Sequence, residues 1–146
     1  MSKERPDHAD AEVALRVYDL RREPVMRQSR DAINGKFLPR NWDEFIAITK
    51  GDHPMNAAWR QVSTYWEMVY GMVKHGIVHP EYFMESNGEG LLVFVKAEPH
   101  LAQLRKELNP LAFQNAEWVA NNTDRGRKLL EIFRKRVQAQ VAALPK

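Results

Sequence analysis

A chain of 146 residues with no cysteine must draw any chemistry from histidine, carboxylate, amine or hydroxyl groups. Thiolate catalysis, disulfides and cysteine-based zinc sites are excluded. His75 and His79 stand at the i, i+4 spacing that puts two imidazoles on one helix face for zinc. Gly76 and Pro80 break a helix between and beyond them, so the favoured reading is a helix end and turn. A metal would need a third ligand, such as Glu67 or Glu81. Asp43-Glu44 and Glu85/Glu89 are the nearest carboxylate pairs. Adjacent helical residues do not face each other, which makes Asp43-Glu44 a poor acid–base couple and a good match for the positive end of a helix. Glu67 sits among aromatic residues and needs a partner there; Arg60 and Lys74 are each seven residues away on the same stripe. Glu67, His75 and His79 are therefore the candidate polar groups of a pocket inside the fold. There is no G-x-S-x-G, no phosphate-binding glycine loop and no H-E-x-x-H.

The charge distribution offers a second kind of site. Net charge is +3, but residues 41–100 carry −4 while residues 101–146 carry +5. Arg125, Arg127, Lys128, Arg134, Lys135 and Arg136 fall off the apolar stripe of the last helix, and a face of this kind can track phosphates. Lys128, Arg134 and Lys135 are the candidate anion-binding residues; a plain solvated face is favoured over them. The four tryptophans raise the possibility of a base-stacking platform, but Trp59 and Trp66 lie in a packing seam.

That seam belongs to the stretch that positions everything else, Pro54 to His75. Met55, Trp59, Val62, Trp66, Val69 and Val73 follow a 4-3-4-3-4 spacing and fall within an arc of about 80°. Ala58, Tyr65, Tyr70 and Met72 widen the apolar face to roughly 160°, which predicts a central helix with neighbours on two flanks. Before it, Asp10 is expected to cap a first helix reaching Glu23. Pro24 opens a second helix, and Asn34-Gly35 reads as a turn. Asn41 caps a short helix closed by Gly51. After Gly76, Pro80 opens a helical turn, PEYFMES. The run LLVFV, 91–95, has strand-like composition. However, Phe94, Ala97, Leu101, Leu104 and Leu108 continue a helical spacing across Pro99, which predicts one helix kinked there. Pro110 is expected to start a helix to about Asn121. Thr123 or Asp124 caps the last one, with Leu129, Leu130, Phe133, Val137, Val141 and Leu144 inside about 120° of arc.

The run TYWEMVYGMVKHGIVHPEYF resembles the recurring core of a bacterial family of small all-helical domains of unknown function. The matching positions are Tyr65, Trp66, Glu67, Gly76, Ile77, Val78 and Glu81, with an arginine such as Arg105 before a final pair of helices. The likeness extends over roughly residues 10–140. It implies an all-helical fold and supplies no activity or functional residue. Some members carry an N-terminal membrane anchor; the polar start, MSKERPDHADAE, has no such apolar run, and no membrane insertion is expected.

The expectation is an all-α, compact single-domain bundle of six or seven helices, 9–146, behind a flexible tail, 1–8. It is read as a non-enzymatic cytoplasmic domain that acts through protein–protein contacts or as a homodimer, with no cofactor and no metal. The alternatives are a nucleic-acid or anion-binding module using the basic last helix, and a small-ligand or enzyme pocket inside the bundle.

Overall fold

The computed structural model describes residues 3–146; helix makes up 74%, and no strand occurs among the described residues. In chain order the elements are α1 (His8–Arg22), α2 (Pro24–Lys36), α3 (Trp42–Ala47), α4 (Asn56–Lys74), α5 (Pro80–Ser86), α6 (Glu89–Ala97), a 3-10 turn (Glu98–His100), α7 (Leu101–Glu107), α8 (Gln114–Asn122) and α9 (Asp124–Ala142). The α6–turn–α7 run is the helix expected to kink at Pro99. Counted as one, it leaves eight helices among the described residues, close to the six or seven expected. Proline has no N–H to donate to the carbonyl four residues back, so the α-helix tightens and turns there.

α4 is the axis. Its seam residues Trp59, Val62, Trp66, Val69 and Val73 are all buried, with α2 against one flank and α8 against the other. α6 crosses closely at Gly90, where a Cβ would come within 2.7 Å of both Trp66 and Tyr70. α9 then closes the bundle over α6 and α8 through Leu130, Phe133 and Val137. α4 stops at Gly76, whose φ of 72° is the left-handed conformation glycine adopts without penalty. The amide of Gly76 donates to Val73 and that of Ile77 to Met72, which satisfies the last carbonyls of the helix.

Three local expectations are corrected. The cap of α1 is Asp7, not Asp10: Asp10 occupies the third helical position and bonds back to the Asp7 amide, completing a reciprocal capping box. Of the segment expected as a tail, residues 1 and 2 lie outside the described residues; Lys3 reaches Asp10 at 3.0 Å. Asn34-Gly35 is not a turn but the last turn of α2. Its carbonyl ends are satisfied from elsewhere, because Lys96 Nζ donates to Ile33 O at 2.6 Å and Asn34 O at 3.0 Å. Pro110 does not open a helix; it lies in the turn between α7 and α8, and α8 begins at Gln114.

Candidate functional site

Glu67 leaves α4 toward α8, not along its own stripe. Its two carboxylate oxygens accept from the backbone amides of Asn115 (3.1 Å) and Ala116 (2.8 Å). The first amides of a helix have no intrahelical acceptor, and a carboxylate satisfies them while meeting the positive end of the dipole. Asn115 answers by donating to the Glu67 carbonyl at 3.0 Å. The partners expected for Glu67 are engaged elsewhere or unneeded: Arg60 Nε bonds Asn56 at 3.0 Å.

Two other acids do the same work. Glu81 accepts from Asp124 N (2.9 Å) and Arg125 N (3.1 Å) at the start of α9, beside the Thr123 hydroxyl that caps Gly126 N at 2.9 Å. Asp10, fully buried, accepts from the amides of Asp7 and His79, both at 2.9 Å. Burial acts to raise its pKa, yet those bonds together with Lys3 hold it below the ordinary aspartate value. His79 Nδ1 in turn caps α5, accepting from Tyr82 N at 3.1 Å.

The candidate metal set is thus distributed over helix ends. His75 ends α4, His79 starts α5, and the proposed third ligands Glu67 and Glu81 each hold a different helix. Among the described residues, no group of three such side chains is arranged to hold an ion. The carboxylate pairs serve local structure as well: Asp43 shares the first turn of α3 with its neighbour. Glu44 lies in the first turn of α3 under the Asn41 cap. Glu89 is bidentate with Arg30 at 2.8 and 2.9 Å, leaving Glu85 exposed.

Glu67 does border a groove of about 420 Å³ between α4 and the α7–α8 turn. Trp59, Leu104 and Phe113 form its apolar wall, and Leu108 and Leu111 stand 57% and 63% exposed at its edge. Phe113 has φ 58° and ψ 23°, a left-handed backbone that costs a bulky residue about 1–3 kcal/mol and that clusters where function requires it. Its ring lies 5.9 Å from Trp59 and 6.1 Å from Phe94. Arg105 pins the same turn, donating from Nε to Ala112 O at 3.0 Å and pairing with Glu117 at 3.1 Å.

On α9 the basic residues divide. Arg134 is bidentate with Glu98, Arg127 pairs with Asp124, and Arg136 lies 5.0 Å over the Phe133 ring. Arg134, one of the candidate anion-binding residues, thus already has a carboxylate partner. Lys128 and Lys135 are exposed and in no ion pair among the described residues.

Several polar side chains at interior positions escape sequence reasoning. Arg21, buried without an acid, donates to Asn87 at 2.6 Å and lies 5.3 Å over the Trp66 ring. Asn87 also accepts, through its carbonyl, the Tyr70 hydroxyl at 2.8 Å. Lys96 is 2% exposed, and burial pushes its pKa down to about 8. The one signal for Lys96 was its place directly after the apolar run LLVFV, where a charge interrupts an otherwise apolar helix.

Comparison with curated proteins and with solved structures gives no match. No helix among the described residues is long and apolar enough to cross a membrane. The family described as "Domain of unknown function (DUF4760)" matches residues 6–123, from just before α1 to the cap of α9, and the chain belongs to that family.

Proposed function

We propose that this domain is non-enzymatic and works by binding a protein partner, whose amphipathic helix lies in the groove between α4 and the α7–α8 turn. The observation that carries this reading is the pairing of an aromatic wall with two leucines left exposed at its edge. Large apolar side chains at the mouth of an apolar groove fit the row of anchors that one face of a helix presents. Supporting it, the acids and the histidine that suggested chemistry are spent as caps: both oxygens of Glu67 and of Glu81, and Nδ1 of His79.

The test places a benzophenone amino acid at Leu111 and irradiates the native cells. The expected product is one adduct with a second polypeptide, whose attached peptide belongs to an amphipathic helix. Leu108→Glu should reduce the adduct about tenfold, the effect of losing one apolar anchor and burying a charge. The same photoprobe at Leu15, on the outer face of α1, should give no such adduct. An adduct only between two copies of this chain, an adduct indifferent to Leu108→Glu, or none at all would each overturn the reading.

A further inference from the structure

On the other side of the bundle, α6, α9 and the segment after α2 border a second, partly open cavity of about 440 Å³. Its body is apolar, with Val95, Val137 and Val141 among the lining residues, and its charged lining consists of Lys96, Arg40, Arg134 and Glu98, with His100 beside them. Glu98 is already bidentate with Arg134. Arg40 is exposed, and its other contacts are the Pro145 carbonyl at 2.8 Å and a loose 3.6 Å pair with Glu44. The cavity therefore carries an excess of positive charge. From this arrangement we infer that the cavity is a binding site for a small organic anion, whose carboxylate or phosphate head meets Lys96 and Arg40 while its apolar body lies against the valines.

Lys96 is the reason for the choice. An ammonium group has three N–H donors; two go to Ile33 O and Asn34 O, and the third has no partner among the described residues. Burial pushes its pKa down to about 8, and no acid pairs with it among the described residues. A buried cation without a counter-charge is costly. The two carbonyls at the end of α2 recover part of that cost through the helix dipole, and an anion in the adjoining cavity would recover more. A cavity of this size, largely apolar with a few convergent polar groups, has the usual make-up of a small-molecule site.

Charge linkage gives the site a signature. The anion stabilises the protonated amine, so binding raises the Lys96 pKa, and affinity must fall once the free amine loses its proton. The other groups facing the cavity are Arg40, Arg134, Glu98 and His100, and the bond from Glu98 raises the Arg134 pKa. Burial lowers the His100 pKa from 6.5, which favours the neutral ring.

The experiment is calorimetric titration of the full chain with phenyl phosphate and, separately, with octanoate at pH 7. At least one should bind below millimolar concentration, and which one does assigns the head group. Lys96→Met should weaken binding about 30-fold or more, as loss of a buried charge partner does. Arg40→Gln, on an exposed residue that leaves the core intact, should weaken it about two- to fivefold, while Lys128→Gln leaves it unchanged. Between pH 7 and 9 the parent should lose affinity about tenfold, and the ε-carbon resonance of Lys96 should titrate higher with ligand than without. Binding of neither probe at millimolar concentration would overturn the assignment. So would parental affinity in both the Lys96 and Arg40 variants, or a Lys96 titration indifferent to the ligand.

Discussion

Both oxygens of Glu67 are occupied by the amides that open α8, and charge-assisted bonds of this kind are about twice as strong as neutral ones. Glu67→Ala leaves those amides unpaired at the edge of the groove. The variant should lose about 1–2 kcal/mol of stability, as cap removals do, and denaturant unfolding measures it. Hydrogen exchange should speed up first at Asn115 and Ala116. The sequence made plain that a glutamate among aromatics needs a partner, but not which. A tertiary cap is made with backbone amides, which nearly every residue carries, so no residue type marks the receiving end. The same blindness covers Glu81 and Asp10. It does not cover Asn41 or Thr123, which cap the helices that directly follow them and stand out by type and place.

At the scale of the element, α2 shows how a local rule is overridden. Asn34-Gly35 favours a turn, but Lys96 satisfies the carbonyls at that point from α6 and the helix continues to Lys36. Its charge sets a pH dependence. The folded-state pKa of about 8 lies below the value of 10.5 for an unperturbed lysine. Between the two, the unfolded chain binds more protons, and stability rises with pH. The gain begins near pH 8 and reaches at most roughly 3 kcal/mol above pH 10.5. Lys96→Met should flatten this rise, and chemical denaturation at pH 7, 8 and 9 checks it. By contrast, the helical reading of LLVFV held because the spacing ran on across Pro99. Composition alone pointed to a strand, and periodicity decided the matter.

For the molecule as a whole, the seam of α4 was the most legible feature, because six apolar residues at helical spacing leave little freedom in which side is buried. Gly90 is where that core is tightest. Gly90→Ala puts a methyl group 2.7 Å from Trp66 and Tyr70, and overpacking of this kind costs about 1–3 kcal/mol. The thermal midpoint should fall by about 2–4 °C for each kcal/mol, as in chains near 150 residues. A midpoint equal to the parent's would mean that α6 does not approach α4 this closely. What the sequence hid at this scale was the set of buried polar residues, Arg21, Asn87 and Lys96. Arg21 and Lys96 find their partners more than 60 residues away, and residue type by itself argues for the surface.

The direction of the caps has a consequence during synthesis. Asp10, Glu67 and Glu81 each precede, by 69, 48 and 43 residues, the amide they receive. A ribosome delivers the chain from its N-terminus at about 5–20 residues per second, so the start of α8 or α9 emerges when its acceptor has been made for several seconds. α2 has the opposite history. Its carbonyl end waits 63 residues for Lys96, and until then only water and local bonds hold it. The nascent chain therefore carries an unfinished helix end through the whole of α3, α4 and α5, and only the arrival of α6 can close it.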